Sequence, residues 1–294
     1  MVGVAIRLMN ALILGGSGRL GTALLKLLPS ATAPSHADFD LTDILGFQPR
    51  LVAARPSVII NCAAYTAVDA AEEDEAKATL INGEAVGELA AVADRSGIPF
   101  VTFSTDYVFD GTIDTVYTES AVPAPLNAYG RSKRVGEQMA LDYPGSLVIR
   151  TSWLLSSTHT SFVSTVLGRA AKGEVRVVTD QWGRPTMVDD LAVATIAAIE
   201  SGVTGLLHLA SPPTTTWFAL AQDACRFVGL DPKRVRPIAS DRLNRRAERP
   251  RHAVLGSDRG FVLPEWRPAL EAWLRRDAPL IGPDSHPAAR AEPV

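Results

Sequence analysis

Cysteine is nearly missing: Cys62 and Cys225 are the only two in 294 residues. So few exclude a disulfide-stapled scaffold and fit small buried hydrophobes in a reducing compartment. No apolar run approaches the roughly 20 residues that a membrane-crossing helix needs. The opening stretch MVGVAIRLMN is too short and too weakly charged to read as a secretory signal. Charge of one sign is also lacking. The formal net charge is −3, without the basic excess of a nucleic-acid binder. Histidines and carboxylates nowhere gather at metal-ligand spacing, so no metal is expected. These absences predict a cytoplasmic protein with neither a nucleic-acid nor a membrane partner. Apolar residues, at 47%, are plentiful. They suffice to pack one large α/β domain or two unequal ones.

Continuous apolar runs alternate with helical patterns through the first half of the chain. ALILGG (Ala11–Gly16), SVIINCAA (Ser57–Ala64), IPFVTFST (Ile98–Thr105) and SLVIRTSW (Ser146–Trp153) read as buried strands. TALLKLLPS and the long stretch from Glu75 to Gly97 read as helices between them. Such alternation predicts a parallel sheet covered on both faces. After Trp153 the pattern loosens. STHTSFVSTVLGRAAKG predicts a helix, the stretch from Val175 a strand, a turn and a helix, and GLLHLA a further strand. The expected architecture is a Rossmann-type doubly wound parallel sheet with a smaller C-terminal α/β substrate domain. The dinucleotide-binding domain would span 10–150 with elements returning from about 172–201, and the substrate domain mainly 151–275. The Pro- and Ala-rich tail, 276–294, has no periodicity and is expected to be disordered.

GGSGRLG follows the first predicted strand and opens the first predicted helix. Gly16-Ser17-Gly18-Arg19-Leu20-Gly21 is a G-x-G-x-x-G, whose glycines permit a tight turn and let a pyrophosphate approach the backbone. The helix N-terminus adds free N–H groups and a partial positive charge. A dinucleotide, NADPH or NADH, is the ligand such a loop holds. Asp38 and Asp40 stand near the distance for an acid on the adenosine ribose, but the run ATAPSHADFDLTD hides the second strand. If that strand ends at Ser35-His36, no carboxylate sits at its tip and a 2′-phosphate could be tolerated.

NAYGRSK, just past the proline-rich AVPAPL, places Tyr129 four residues before Lys133. On a helix the two share a face. Alone, that pair is better read as a half-buried tyrosine and a solvated lysine. Its neighbours alter the balance. Gly15-x-x-Gly18-x-x-Gly21, NCAAYTAVDAAE, STDYVFDG, YGRSK, RTSW and DQWGRPT together resemble the extended short-chain dehydrogenase/reductase family. Within it they most resemble the dTDP-4-dehydrorhamnose reductase branch. The resemblance runs from about Ala11 to Arg249.

That resemblance implies reduction of the C4 ketone of dTDP-4-dehydro-L-rhamnose by NADPH or NADH. A sugar ketone needs a hydride and a proton for the developing alkoxide. Tyr129 would donate the proton, and Lys133 would stabilise the phenolate, lowering its pKa, while holding the nicotinamide ribose. Thr105, at a strand end, would hydrogen-bond the substrate carbonyl and share the proton path. The resemblance assigns Gly15, Gly18, Arg19, Leu20, Gly21, Asp40, Leu41, Ala63, Ala64 and Tyr65 to the cofactor. It assigns Asp106, Trp153 and Arg249 to the nucleotide-sugar. Arg184, Pro185 and Thr186 would shape the substrate-facing loop, and Arg245 and Arg246 join Arg249 as pyrophosphate candidates. Bland alternatives stand beside these roles. Asp106 can be a turn residue, Trp153 a core residue, and each arginine part of a solvated loop.

Two stretches depart from the family pattern. SSTHTSFV has Ser161 where the family usually has asparagine, and ERPRHAVL lacks the Asn/Ser pair after Arg-Pro. Both lie on the substrate side, so another dTDP-4-keto-6-deoxyhexose, of an antibiotic or dihydrostreptose-type pathway, is a second candidate substrate. A dehydratase would need Asp-Glu after the catalytic threonine, where this chain has Asp106-Tyr107. A non-catalytic nucleotide-binding regulatory subunit is disfavoured by the complete Tyr/Lys/Thr set. The chain is expected to act as a monomer or homodimer.

Overall fold

A computed structural model describes residues 10–277. Strand β1 (Ala11–Leu14) runs into the glycine loop and helix α1 (Arg19–Leu27), and α2 (Phe47–Ala54) precedes β2 (Val58–Asn61). Short helices α3 (Val68–Ala71) and α4 (Glu75–Thr79) lead through a π-helical turn at Leu80–Glu84 into α5 (Ala85–Arg95). The stretch expected as one helix from Glu75 is continuous, with that π-helical turn inside it, and Gly97, at φ +64°, follows its end. β3 (Phe100–Thr105), α6 (Ala128–Leu141) and β4 (Ser146–Thr151) follow.

The second half contains β5 (Leu154–Leu155), α7 (Phe162–Lys172), β6 (Val175–Val178), β7 (Trp182–Gly183) and β8 (Thr186–Met187). It continues with α8 (Val188–Glu200), β9 (Gly205–His208), β10 (Thr215–Thr216), α9 (Trp217–Phe227), β11 (Val235–Ile238) and α10 (Trp266–Asp277).

The main sheet has the order β1-β2-β3-β4-β9, with every pair parallel. Its strands are buried on both faces, which is why they read as unbroken apolar runs. Leu20, Ala23 and Leu24 of α1 and Leu191 and Ala192 of α8 pack on one face with Ile13 and Ile60. Phe47, Leu89 and Ala140, from α2, α5 and α6, cover the other with Leu12 and Ile59. On the outer side of β1 the hidden second strand shrinks to one bridge, Leu12 to Thr32. The chain therefore reverses direction about β1, and the crevice between β1 and β2 is where open α/β sheets bind ligands.

The stretch returning to the sheet is α8 and β9. β6, inside the expected 172–201 block, pairs instead with β11. It belongs to a second core of α7, α9 and α10, built on Leu167, Leu220, Trp266 and Leu270. Of the expected disordered tail, residues 276 and 277 complete α10, and 278–294 lie outside the described residues. Among the described residues no helix is long and apolar enough to cross a membrane.

Candidate active site

Gly15 has φ +75°, a left-handed conformation that favours glycine, and a Cβ there would meet the Ala63 backbone nitrogen at 2.6 Å. A Cβ on Gly21 would strike the Gly15 carbonyl and Gly16 Cα. Gly18 differs. It caps α1 in an extended conformation without a side-chain cap, and its Cβ would meet only the Gly15 oxygen, at 3.2 Å. Gly15 and Gly21 are therefore built into the fold, while Gly18 leaves uncapped helix N–H groups beside an open cleft. These features fit a dinucleotide pyrophosphate.

The cleft encloses about 670 Å³ and brings Gly15, Gly18, Ala63, Thr105, Tyr129 and Lys133 to one surface. Arg19, Leu20, Ala64, Asp106 and Trp153 also line it. Tyr65 is not among the lining residues. Its backbone N–H donates to Asn82 Oδ1 at 2.9 Å, and Asn82 Nδ2 donates to the Tyr65 carbonyl at 2.9 Å and to Ser132 Oγ at 3.0 Å. Ser132 in turn donates to the Tyr129 carbonyl, at 2.8 Å. Asn82 thereby ties the turn after β2 to the helix bearing Tyr129. A polar residue within an apolar helical run gave no signal of that bracing.

Asp40 and Leu41 are not among the residues that line the cleft. Asp40 accepts from the Thr42 N–H at 2.8 Å and from its hydroxyl at 2.9 Å, and Leu41 is buried with Phe39 and Phe47. Turn capping and core packing, rather than a strand tip, determine their positions.

α6 starts where its sequence dictates. The Asn127 side chain accepts from the Gly130 N–H at 2.8 Å and donates to the Glu248 carbonyl at 2.7 Å. Glu72 accepts from the Ala128 N–H at 2.7 Å. Gly130 is needed because the Tyr107 carbonyl occupies the space a Cβ would take. That close approach sets Tyr129 and Tyr107 edge to face, 5.9 Å between centroids. One turn on, Lys133 also faces the cleft, as i,i+4 spacing requires.

Electrostatics at the site depart from expectation. Burial, then the Asp106 carboxylate, push the Tyr129 phenol above its ordinary pKa, opposed by a hydrogen bond with the Thr105 hydroxyl. Lys133 is not among the groups acting on the phenol. Burial lowers its ammonium to about 8, opposed by Glu137. Burial is the first cause of both shifts. Thr105 Oγ1 donates to Asp106 Oδ1 at 2.9 Å and accepts from the Tyr107 N–H at 3.2 Å. Burial raises Asp106 to about 7, and its Oδ2 has no hydrogen-bond partner.

Trp153 has φ +47°, rare for a non-glycine residue. Its ring stacks on Trp217, 3.6 Å between centroids, and crosses the space a Gly183 Cβ would fill. The glycine of DQWGRPT is thus a packing requirement. Arg184 lines a neighbouring cavity of about 330 Å³ with His208 and Asp258, rather than the main cleft. Thr186 is fully buried. Ser161 caps α7 through a reciprocal box with Ser164, which accounts for serine at that position. The loop before it reaches the glycine turn, where His159 Nε2 lies 2.9 Å from the Ser17 carbonyl and Arg19 donates to the Thr160 carbonyl at 2.8 Å.

Arg249 forks onto Asp69, with contacts of 2.6 and 2.5 Å, and its side chain is 9% exposed. Arg246 pairs with Glu73. Geometry places Arg249 as a pin between the loop at 245–250 and α3. Among the described residues no group of three or more His, Cys, Asp or Glu could hold a metal ion.

Comparison with known proteins adds three findings. The family model described as RmlD substrate binding domain matches residues 9–278. The chain is 42% identical to the dTDP-4-keto-6-deoxy-D-glucose reductase of Streptomyces niveus, over 93% of this chain and 98% of that one. It is 38% identical to the dTDP-4-dehydrorhamnose reductase of Streptomyces griseus, over 88% and 91%. The dTDP-4-dehydrorhamnose reductase of Bacillus anthracis, solved in complex with NADP, superposes with a TM-score of 0.87. Its identity is 32%, over 92% of this chain and all of that one.

Proposed function

The chain belongs to the RmlD substrate binding domain family, and on that premise we propose that it is an NAD(P)H-dependent 4-ketoreductase of a dTDP-4-keto-6-deoxy sugar. The substrate we favour is dTDP-4-dehydro-L-rhamnose, reduced to dTDP-L-rhamnose. The observation that carries this proposal is the meeting of Tyr129, Thr105 and Lys133 with Gly15 and Gly18 in one cleft. When bound, the nicotinamide cofactor supplies the hydride.

The chain's own residues supply the rest. Gly18 and the N-terminus of α1 receive the pyrophosphate, with Ala63 and Ala64 lining the cleft nearby. Lys133, buried on the same helix face as Tyr129, holds the nicotinamide ribose. A phenol of ordinary pKa is protonated at neutral pH, and Tyr129 donates that proton as negative charge grows on the C4 oxygen. Trp153 walls the sugar side and is held in place by Trp217. Burial of Thr105, Asp106 and Lys133 keeps bulk water from these groups and strengthens their interactions.

A second substrate reading has specific support. The Streptomyces niveus relative named for dTDP-4-keto-6-deoxy-D-glucose is more similar than the rhamnose-named relative from Streptomyces griseus. Both substrates present the same ketone to the same residues. The cytoplasm is the proposed compartment, and both cysteines are unpaired. Purified protein incubated with NADPH and dTDP-4-dehydro-L-rhamnose should consume cofactor in proportion to product, whose C4 configuration NMR reads. Consumption only with dTDP-4-keto-6-deoxy-D-glucose would favour the second substrate. Consumption with neither would overturn the reductase assignment.

A further inference from the structure

We propose that His159 is a cofactor-positioning residue, part of a strap that clasps the glycine loop in the form that receives a pyrophosphate. The proposal rests on the dinucleotide reading of the cleft and deepens it. The strap is the stretch 156–160, which follows β5 and leads into α7. It lies in SSTHTSFV, one of the two stretches that depart from the family pattern. Its two contacts fall on either side of Gly18. His159 Nε2 lies 2.9 Å from the Ser17 carbonyl, and Arg19 Nη2 donates to the Thr160 carbonyl at 2.8 Å. α1 packs in the first core and α7 in the second, so the strap ties one core to the other beside the cleft.

The hydrogen bonds along the strap run in one direction. A carbonyl oxygen only accepts, so the Ser17 contact requires a proton on His159 Nε2. In the neutral ring Nδ1 then accepts, and the Thr158 hydroxyl, 2.9 Å away, donates to it. With that proton committed, Thr158 Oγ1 accepts from the Ser156 hydroxyl at 3.1 Å. Ser156 is buried, at 1% exposure, and anchors the chain of donors. Each side chain thereby orients the next, and the last one holds the loop.

What the clasp holds is the Ser17–Gly18 peptide. Its N–H, on Gly18, donates to the Gly15 carbonyl at 3.0 Å. Its carbonyl lies outside the ladder of α1, which begins with the Thr22 N–H on the Gly18 carbonyl at 2.9 Å. Ser17 lines the cleft, and a carbonyl left there without a donor would be a negative pole in a site that receives an anion. His159 supplies the donor. Bonded on both sides, the peptide is held in one orientation, and the uncapped N–H groups of α1 stay beside the cleft.

Calorimetric titration of the ligand-free protein with NADPH tests the proposal without turnover. His159→Ala should weaken NADPH binding about fivefold, the usual value of one hydrogen bond, with the melting temperature near wild type. His159→Gln, whose amide N–H replaces the ring donor, should regain most of the affinity. Thr158→Val removes the donor to Nδ1 and leaves the ring, so it should weaken binding in the same direction, whereas Thr158→Ser should not. Wild-type NADPH affinity in His159→Ala, or a loss that His159→Gln does not repair, would overturn the proposal and leave the dinucleotide reading standing. A wild-type protein that binds no NADPH would overturn that reading, and the proposal with it.

Discussion

Trp153 and Trp217 lie face to face, 3.6 Å between ring centroids and 9° between planes, at the mouth of the cleft. Trp153 reaches that position in a left-handed backbone conformation, and Trp217 opens α9 behind the Thr216 cap. The stack offsets backbone strain and holds one wall of the cleft. Trp217→Leu should raise KM for the dTDP-sugar about tenfold, in keeping with the roughly 0.5–1.5 kcal/mol of an aromatic pair. Calorimetry should find the Kd for NADPH unchanged. Equal weakening of both would mean that the stack supports the fold rather than the sugar.

Three of the loop's four glycines, Gly15, Gly18 and Gly21, should fail differently. Gly18→Val projects into the cleft, so it should abolish NADPH binding while the melting temperature stays near wild type. Gly15→Ala and Gly21→Ala collide with backbone and should lower Tm as well. Calorimetry and thermal melts on the three proteins separate the cases. Wild-type cofactor affinity in Gly18→Val would remove this loop from the binding site.

Arg249 and Asp69 should behave as one structural unit. Arg249→Ala and Asp69→Ala are expected to destabilise to similar extents, and the double variant should be little worse than either single variant. The hydrogen bond from Arg249 holds the Asp69 carboxyl down at about 2. Its stabilisation is therefore complete above the ordinary carboxylate pKa near 4, and is lost as pH falls from there through about 2. Denaturant melts across that window should show the loss in wild type and not in Asp69→Asn. A selective rise in KM for the sugar nucleotide in Arg249→Ala, with stability unchanged, would return Arg249 to the pyrophosphate.

Glu137 and Arg150 form a fork of two 2.6 Å contacts, and each side chain is 1% exposed. Glu137→Ala would leave a buried guanidinium uncompensated, at a cost of about 3–5 kcal/mol. Urea unfolding measures it. A loss below about 1 kcal/mol would show that the pair is dispensable.

Much of the fold was legible because its signals are local. The apolar runs at Ala11, Ser57, Ile98 and Ser146 mark strands buried on both faces, and Asn127 and the glycine turn mark helix starts. The second strand was hidden because it contributes only the bridge at Thr32. Tyr129 and Lys133 were legible from helical spacing, and Gly15 and Gly18 from the loop. Asn82, Trp217 and His159 were not, since each acts through a contact far away in sequence. The pairing of Arg249 with Asp69 was hidden likewise, 180 residues apart. The burial of Tyr129 and Lys133 was not legible for a further reason. Spacing shows which groups share a face and says nothing of how deeply they are buried.

Single-turnover reduction of dTDP-4-dehydro-L-rhamnose by Tyr129→Phe, with NADPH saturating, tests the central claim most directly. The change removes one oxygen and little volume, so packing and cofactor affinity should persist. If the phenol is the proton donor, the rate should fall about 10²–10⁴-fold. A rate near wild type would contradict the account, and would mean that Tyr129 and Lys133 share a helix face for packing alone.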